Sequence, residues 1–283
     1  MTFSDDKRHL SPSIIADDIV AIADLHVDYA ENLEWVKSLD RSKWGKSVLI
    51  VAGDVTDNVN LLLQTLSLLQ NRFAAVCYVP GNHEMWLRNC HYADSLQKFT
   101  EIIRRCDELG IFTSAVKVNT THPVWVVPLV AWYIEPEAGD HGLYVPKAGE
   151  DSDMYAWADH YLTRWPERFG TDVKLASHAI NTHFLKLNQR YLESSYDAPV
   201  ISFSHFLPRK ELMFARPPKD LTRPFETARN DAYPTFNFSR VAGSEALDKQ
   251  IRKINANIHF YGHQHRNRKR TINGVDYCSH CLG

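Results

Sequence analysis

The feature that most constrains this chain is a series of five short polar clusters spread over nearly its whole length. Each of the first three clusters directly follows an apolar run with the composition of a buried β-strand. In α/β sheets, ligands bind at the carboxyl edges of the strands, so we expect the polar side chains of the clusters to converge at such an edge. The clusters are Asp24-Leu25-His26, Gly53-Asp54-Val55-Thr56-Asp57, Gly81-Asn82-His83-Glu84, Ser204-His205 and Gly262-His263-Gln264-His265.

The side chains in these clusters are of the kinds that bind divalent metal ions. Two aspartates, one asparagine and four histidines offer oxygen and nitrogen ligands, and His83 is a further histidine beside them. This set is large enough for two cations side by side, and a pair of cations with an open face can attack phosphate esters. No cysteine lies in the set. The mixed nitrogen and oxygen ligands therefore suit manganese, iron or zinc, and the sequence does not choose among the three.

The ordered pattern D-x-H, G-D-x-x-D, G-N-H-E, H and G-H-x-H resembles the calcineurin-like metallophosphoesterase superfamily, with every block present between residues 24 and 265. The resemblance implies an α/β fold in which two mixed β-sheets pack face to face and are flanked by helices, giving four layers. It also implies two bound divalent metal ions. The first ion would be held by Asp24, His26 and His265. The second would be held by Asn82, His205 and His263, with Asp54 bridging the two ions.

The same resemblance leads to a mechanistic hypothesis. The two ions share a water and lower its pKa, and the metal-bridging hydroxide attacks phosphorus directly, without a covalent phosphoenzyme. His83 is the candidate general acid for the leaving oxygen. Asp57 is expected to hold the His83 ring, as carboxylates do for other catalytic histidines. Arg209 and Arg88 are the candidates for binding the substrate phosphate, because an arginine fork can grip two phosphate oxygens.

The pattern of apolar residues predicts strands that alternate with helices, which favours parallel strand pairing. We expect a flexible N-terminal tail over residues 1–15 and a single domain over 16–283, with insertions at about 134–195 and 208–240 that could shape a substrate site. The predicted strands are 19–23, 47–52, 74–79, 124–130 and 200–203, and a hairpin is expected at Asn273-Gly274. The predicted helices are 29–39, 59–69, 93–109, 154–161, 175–192 and 244–254.

Composition favours some partners and compartments over others. The chain has 283 residues, 44% of them hydrophobic, which is ample for a large core. Its formal net charge of −2 disfavours long nucleic acid as a partner. No apolar run approaches the length of a membrane span, so no membrane association is expected. The polar start does not resemble a secretory signal, and the five cysteines are an odd number, so we expect a cytoplasmic protein.

Three classes of function are compatible with these features. The leading one is a metal-dependent phosphoric ester hydrolase, and within this class a phosphomonoesterase acting on a small or medium substrate is slightly favoured. The preference for a phosphomonoesterase depends on a group of cations in the second insertion, namely Arg209, Lys210, Arg216, Lys219 and Arg223.

The alternative is a phosphodiesterase or nuclease for cyclic nucleotides or single-stranded nucleic acid, with bases stacked on exposed aromatic rings. The candidate rings are Trp132, Tyr133, Trp157 and Trp165. A non-catalytic scaffold is the third class, and it is disfavoured because every implied metal ligand is present. A phosphatase of the G-D-x-V-D-R-G type is also disfavoured, since Asp57 is followed by Asn58 and Val59.

Overall fold

The chain forms an α/β fold with strands and helices in alternation. The computed structural model describes residues 13–88, 90–151, 157–214 and 233–282. Within these ranges the strands are β1 (Ser13–Ile15), β2 (Asp18–Ile22), β3 (Ser47–Ala52), β4 (Ala75–Val79), β5 (Val116–Asn119), β6 (Pro123–Pro128), β7 (Val200–Phe203), β8 (Ala256–Tyr261), β9 (Arg268–Ile272) and β10 (Val275–Ser279).

Most helices begin where a short polar side chain can cap their free amide groups. Asn58, Asp94 and Ser244 each accept a hydrogen bond from a backbone N–H in the first turn of the helix that follows. The helices are α1 (Ala30–Ser38), α2 (Arg41–Trp44), α3 (Val59–Gln70), α4 (Ser95–Glu108), α5 (Asp159–Leu162), α6 (Val173–Leu187), α7 (Gln189–Leu192) and α8 (Glu245–Lys253).

The strands form two sheets, as the family resemblance implied. The larger sheet has the order β1-β5-β6-β7-β8-β10-β9 and is mixed, because β5–β6 and β9–β10 pair antiparallel while its other pairs are parallel. The smaller sheet, β2-β3-β4, is parallel throughout, which corrects the expectation that both sheets are mixed. All three of its strands are joined by helical connections, and such crossovers produce parallel pairing.

Three apolar cores separate four layers. Between the sheets lies a core to which both contribute, for example Ile50 of β3 and Val126 of β6. A second core packs α1, α3 and α4 against the outer face of the small sheet, and a third packs α8 against the outer face of the large sheet. All six residues of β3 are buried, since the strand has a core on each face. The face-to-face arrangement of sheets and the flanking helices are therefore as expected.

Three predictions about the chain's organisation need correction or restriction. Residues 13–15 form β1, which pairs with β5, so the predicted tail cannot include them, and residues 1–12 lie outside the described ranges. The predicted helix 154–161 is found only as α5, with residues 154–156 outside those ranges. The predicted helix 175–192 is interrupted at Asn188, because its side chain bonds both the N–H and the carbonyl of Val130.

The other predicted strands and helices lie within two residues of their predicted bounds. The hairpin is formed by β9 and β10, with Asn273 and Gly274 both at positive φ in its turn. Across the described ranges, no helix combines the length and hydrophobicity that crossing a membrane requires.

Candidate metal centre

The seven side chains predicted as metal ligands meet at the carboxyl ends of β2, β3, β4, β7 and β8. They form two groups, and within each group the ligand atoms lie within 4.8 Å of one another. The first group is Asp24, His26, Asp54 and His265, and the second is Asp54, His205 and His263. Asn82 joins the second group, because its Oδ1 atom lies 3.1 Å from Nε2 of His205. Asp54 is common to both groups, as expected of a bridging carboxylate.

The backbone turns sharply at these residues as it leaves the strands. In the described part of the chain, seven residues other than glycine have positive φ, and five of them belong to the two groups. The five are Asp24 (53°), His26 (40°), Asp54 (53°), His263 (72°) and His265 (52°). Three of the five are histidines, for which this left-handed conformation is costly, and such strain collects at functional sites. The strain therefore marks the cluster as a site shaped for binding.

Two glycines allow the loops after β3 and β4 to approach each other. A Cβ atom on Gly53 would lie 2.6 Å from Nδ1 of His205, and one on Gly81 would lie 2.2 Å from Oδ1 of Asp54. Both distances are far shorter than a real contact. The glycines of G-D-x-x-D and G-N-H-E are thus required by the close packing of the ligands themselves.

The second group is buried, and its imidazoles have defined orientations. Nδ1 of His205 donates to the carbonyl of Ala52 at 2.9 Å, and Nε2 of His263 donates to the carbonyl of Val241 at 3.0 Å. The opposite ring nitrogens face each other at 3.2 Å. Backbone acceptors of this kind fix the tautomer and ring orientation of metal-binding histidines.

The charge state of the second group is set by Asp54. Burial opposes a charge on His205, but the Asp54 carboxylate lies 3.3 Å from its Nε2 and raises the pKa of His205 to about 9. Burial also opposes ionisation of Asp54, yet His205 and His83 hold the pKa of this carboxyl well below its usual value. A positive charge is therefore favoured beside Asp54, and a metal ion would supply it by displacing the proton.

The first group is more open. The His265 side chain is 44% exposed, and its Nε2 lies 3.0 Å from Nε2 of His26. Asp24 is fully buried, with one carboxylate oxygen accepting the N–H of His263 at 2.9 Å. Its other oxygen, Oδ2, has no hydrogen-bond partner among the described residues. Burial raises the pKa of Asp24 to about 7, so the protein without ions leaves this carboxylate poorly compensated.

These features fit a pair of divalent cations. The orphaned oxygen of Asp24 lacks the partner that a buried carboxylate needs. Burial lowers the pKa values of His26 and His265, the latter to about 4, so both rings are neutral near pH 7 and each has a lone pair available. The donor set contains imidazole nitrogen and oxygen atoms, which suits manganese, iron and zinc.

His83 lies at the open edge of the cluster. Its ring stacks on the Trp86 indole, with centroids 3.6 Å apart, and its Nε2 is 3.7 Å from Oδ2 of Asp54. Its backbone N–H donates to the other oxygen of Asp54 at 3.0 Å. The side chain is a quarter exposed, which places it where a substrate can reach it. Burial lowers the pKa of His83 to about 4, so the ring is neutral near pH 7 before substrate binds.

The expected contact between Asp57 and His83 is replaced by a different one. The Asp57 carboxylate pairs with the guanidinium of Arg88 at 2.8 Å, and that guanidinium also lies over the Trp86 ring at 4.7 Å. Asp57 and Arg88 line a cavity of about 850 Å³, together with residues of α3 and α4. The role given to Asp57 is therefore corrected, because the carboxylate is already used by Arg88. Arg88 remains a candidate for substrate binding, although it is paired with Asp57.

Arg209 is not brought to the cluster. Its guanidinium pairs with Glu211 at 2.7 Å and with Asp248 at 2.8 Å. Within the described ranges, none of its hydrogen bonds reaches a residue of the two groups. Its charge is compensated by two carboxylates, so Arg209 is better described as a structural ion pair than as a phosphate-binding residue.

Glu84 supports the cluster in a way that its place in G-N-H-E did not reveal. The carboxylate is fully buried and accepts the backbone N–H groups of Val55 at 2.6 Å, Gly81 at 2.6 Å and Asp54 at 3.1 Å. It therefore ties the loop after β3 to the loop after β4. The burial that this role requires raises the pKa of Glu84 to about 7.

Two further supporting residues lie outside the five clusters. Lys98 of α4 is fully buried, and its Nζ donates to the carbonyls of Asp57 at 2.6 Å and Trp86 at 2.5 Å. Asp159 of α5 accepts a hydrogen bond from the amide of Asn82. Lys98 could have been noticed from the sequence, since it lies on the apolar face of an amphipathic helix. Asp159 lies in an irregular insertion, where no periodicity points to it.

Comparison with known proteins identifies the family to which the chain belongs. The chain is 35% identical over 125 residues to the acyl-carrier-protein phosphodiesterase PptH of Mycobacterium tuberculosis, a match that covers 40% of this chain and only 36% of that protein. The crystal structure of the phosphopantetheinyl hydrolase PptH from the same organism is similar in fold, with a TM-score of 0.69 and 23% identity. That alignment covers 95% of this chain and 90% of the other. The family model for the calcineurin-like phosphoesterase matches residues 18–267. The resemblance inferred from the motifs is thereby confirmed, and the chain belongs to the calcineurin-like phosphoesterase family.

Proposed function

We propose that this protein is a phosphoric ester hydrolase that uses two divalent metal ions and acts on phosphodiesters. The observation that carries the proposal is the convergence of two groups of metal-binding side chains on one shared carboxylate, Asp54. A shared carboxylate offsets the repulsion between two adjacent cations. Membership of a family of phosphoesterases with two metal ions supports the same reading.

In this proposal the first ion is held by Asp24, His26 and His265, and the second by Asn82, His205 and His263. When bound, the ions act as Lewis acids and make a hydroxide nucleophile available near neutral pH. Manganese, iron and zinc are the expected metals, and elemental analysis of the purified protein distinguishes them.

His83 is the residue proposed to assist the leaving group. In the hydrolysis, a bond forms between phosphorus and the oxygen of water, and the bond between phosphorus and the leaving oxygen breaks. The leaving oxygen must then take up a proton. His83 lies at the exposed edge of the cluster, and the negative charge of a bound phosphate favours the protonated form of its partly exposed ring. The protonated His83 then donates to the leaving oxygen as a general acid.

Two of the five cations that favoured a phosphomonoesterase do not support that choice. Arg209 is paired with Glu211 and Asp248, and Nζ of Lys210 donates to the carbonyl of Asp140. The other three, Arg216, Lys219 and Arg223, lie outside the described residues. A monoester has an additional negative charge, and no cation of this group is placed to receive it by a described contact. The name of the relative PptH, a phosphodiesterase, also supports a diester.

The aromatic residues considered for binding nucleic acid are mostly used in packing. Trp132 and Tyr133 are buried, and Trp132 lies against Trp165, Phe184 and Phe206. Their faces are therefore covered, and a single strand cannot stack on them. Among phosphodiesters, we propose one carried by an acyl-carrier protein as the first substrate to examine, because the relative acts on that class.

The test is hydrolysis by the protein reconstituted separately with manganese, iron and zinc. The substrates are bis-nitrophenyl phosphate, nitrophenyl phosphate, a cyclic nucleotide and an acyl-carrier protein that carries its phosphodiester-linked prosthetic group. We expect the diesters to be hydrolysed with a higher kcat/KM than the monoester. A clear preference for the monoester would overturn the diester proposal, and inactivity of every metal form on every ester would overturn the hydrolase itself.

A further inference from the structure

We propose that Asp159, in the first insertion, is a positioning residue that orients both Asn82 and Trp86. This inference rests on the proposed function. Asp159 begins α5 and is buried. Its Oδ1 atom accepts two hydrogen bonds, from Nδ2 of Asn82 at 3.0 Å and from Nε1 of Trp86 at 2.6 Å. One carboxylate oxygen therefore contacts a proposed metal ligand and the residue beneath His83.

The contact with Asn82 decides which end of its amide faces the metal centre. The oxygen and nitrogen ends of an asparagine side chain have nearly the same shape, so packing alone does not distinguish them. An ionised carboxylate only accepts hydrogen bonds, so it selects the NH₂ end of Asn82. The oxygen end then points to the second group, where it lies 3.1 Å from Nε2 of His205. Without Asp159, a flipped amide would present N–H groups to a cation.

Through its hydrogen bond to Trp86, Asp159 also helps to fix the position of the His83 ring. The indole N–H is held by Asp159, and the indole face stacks on the His83 ring with an interplanar angle of 29°. A rotation of Trp86 would remove this support. Because one oxygen atom fixes both neighbours, the ligand end of Asn82 and the position of His83 depend on a single side chain.

A purely structural role does not account for Asp159 well. A buried carboxylate is costly unless it is compensated, and within the described residues Asp159 has no ion pair with a lysine or arginine. Its Oδ1 partners are Asn82 and Trp86, both part of the loop that carries the proposed ligand and acid. Trp157, two residues before it, also reaches the second group, with its ring 5.8 Å from that of His263. Trp157 and Asp159 of the insertion therefore both contact residues of the second group, His263 and Asn82 respectively.

The experiment compares Asp159→Leu, which removes the acceptor and keeps the branched shape of the side chain, with Asp159→Asn, which keeps a neutral acceptor. His160→Gln is the matched control, because His160 adjoins Asp159 but bonds Glu135, and glutamine can still donate to that carboxylate. Manganese bound per chain is measured by elemental analysis, and the affinity for each of the two ions by competition with a chelating dye. Circular dichroism reports whether each variant is folded.

We expect the wild type, His160→Gln and Asp159→Asn to hold two manganese ions. We expect Asp159→Leu to bind the ion of the second group, which includes Asn82, about 10–100-fold more weakly, the usual effect of losing a partner behind a metal ligand. If Asp159→Leu does not fold, Asp159→Ala, which removes the acceptor without adding bulk, is measured in its place. A folded acceptor-free variant that holds both ions as tightly as the wild type would overturn the inference. A wild-type protein that holds no ions, or is inert, would instead contradict the proposed function.

Discussion

The two groups of proposed metal ligands share one carboxylate and one sheet edge, yet they are built differently. In the second group every side chain is buried, and each ligand has a partner behind it: Ala52 for His205, Val241 for His263 and Asp159 for Asn82. In the first group the His265 side chain is 44% exposed. Among the described residues, neither His26 nor His265 donates a ring N–H to a backbone carbonyl.

This difference implies a division of roles between the groups. Ligands whose tautomer and orientation are fixed in advance bind an ion tightly, because little order is gained on binding. The second group therefore suits a firmly held ion. The open first group suits an ion that exchanges with solvent and lies where an incoming phosphate can reach it.

The largest effect is expected from removing the residue that both groups share. Asp54→Ala deletes the carboxylate common to the two groups and leaves two cations without a shared counter-charge. We expect both ions to be lost and kcat/KM to fall at least ~10³-fold, since metal ions supply several kcal/mol of transition-state stabilisation and 1.36 kcal/mol is a tenfold change. Metal content and hydrolysis of the bis-nitrophenyl diester provide the measurement. Two retained ions in this variant would show that Asp54 is not the bridge.

A smaller and asymmetric effect is expected from removing one histidine of each group. His205→Ala should lose the firmly held ion, and added manganese should not restore activity, because the vacated position is buried. His265→Ala should retain one ion and regain activity in excess manganese. Titrating kcat/KM against manganese concentration compares the two. Equal recovery of both variants would remove the distinction between the groups.

The effect of His83→Ala should depend on the leaving group. We expect a loss of about 10²–10⁴-fold for a diester with an alkoxide leaving group, the range of general acid catalysis. Nitrophenolate needs no proton, so the loss on the bis-nitrophenyl diester should be much smaller. The two rate ratios, measured on the same preparation with the same metal content, decide the question. Equal losses on both esters would contradict the acid role.

A buried histidine outside both groups provides the last comparison. His259 has both ring nitrogens near serine hydroxyls, Ser202 at 2.8 Å and Ser204 at 3.0 Å, and burial lowers its pKa from 6.5 to about 3. Between these two values the unfolded state binds one more proton than the folded state. Its contribution to stability is therefore lost as pH falls, by about 1.4 kcal/mol per pH unit.

We expect the unfolding free energy of His259→Asn to fall less steeply with decreasing pH than that of the wild type, although the variant is less stable at neutral pH. Urea unfolding of the metal-free protein at neutral and mildly acidic pH, for wild type and variant, measures it. If the unfolding free energy falls equally with pH in wild type and variant, His259 is protonated in the folded state.

The sequence predicted the fold and the clustering of the proposed ligands, because both follow from local patterns. Runs such as Ser47–Ala52 have the composition of a strand buried on both faces, and the polar residues that follow must then lie at one sheet edge. The short strands β1 and β5 were not predicted, since Ser13–Ile15 and Val116–Asn119 are too short to show a period. Their pairing is decided by tertiary contacts.

The partners of the charged residues could not be predicted. Asp57 and Arg88 pair across two loops, and Arg209 pairs with Asp248, which lies on α8. Such pairs depend on how the loops approach in space, and spacing along the chain does not encode this. The same reason applies to Asp159, which reaches Asn82 from 77 positions further along the chain.

The most direct test of the whole account is anomalous diffraction from crystals of the manganese-loaded protein. We expect two peaks about 3.5–4 Å apart, the usual separation in two-metal sites, with the Asp54 carboxylate between them. One peak should have Asn82, His205 and His263 around it, and the other Asp24, His26 and His265. A protein that binds manganese elsewhere, or that shows no ion in contact with Asp54, would contradict the account.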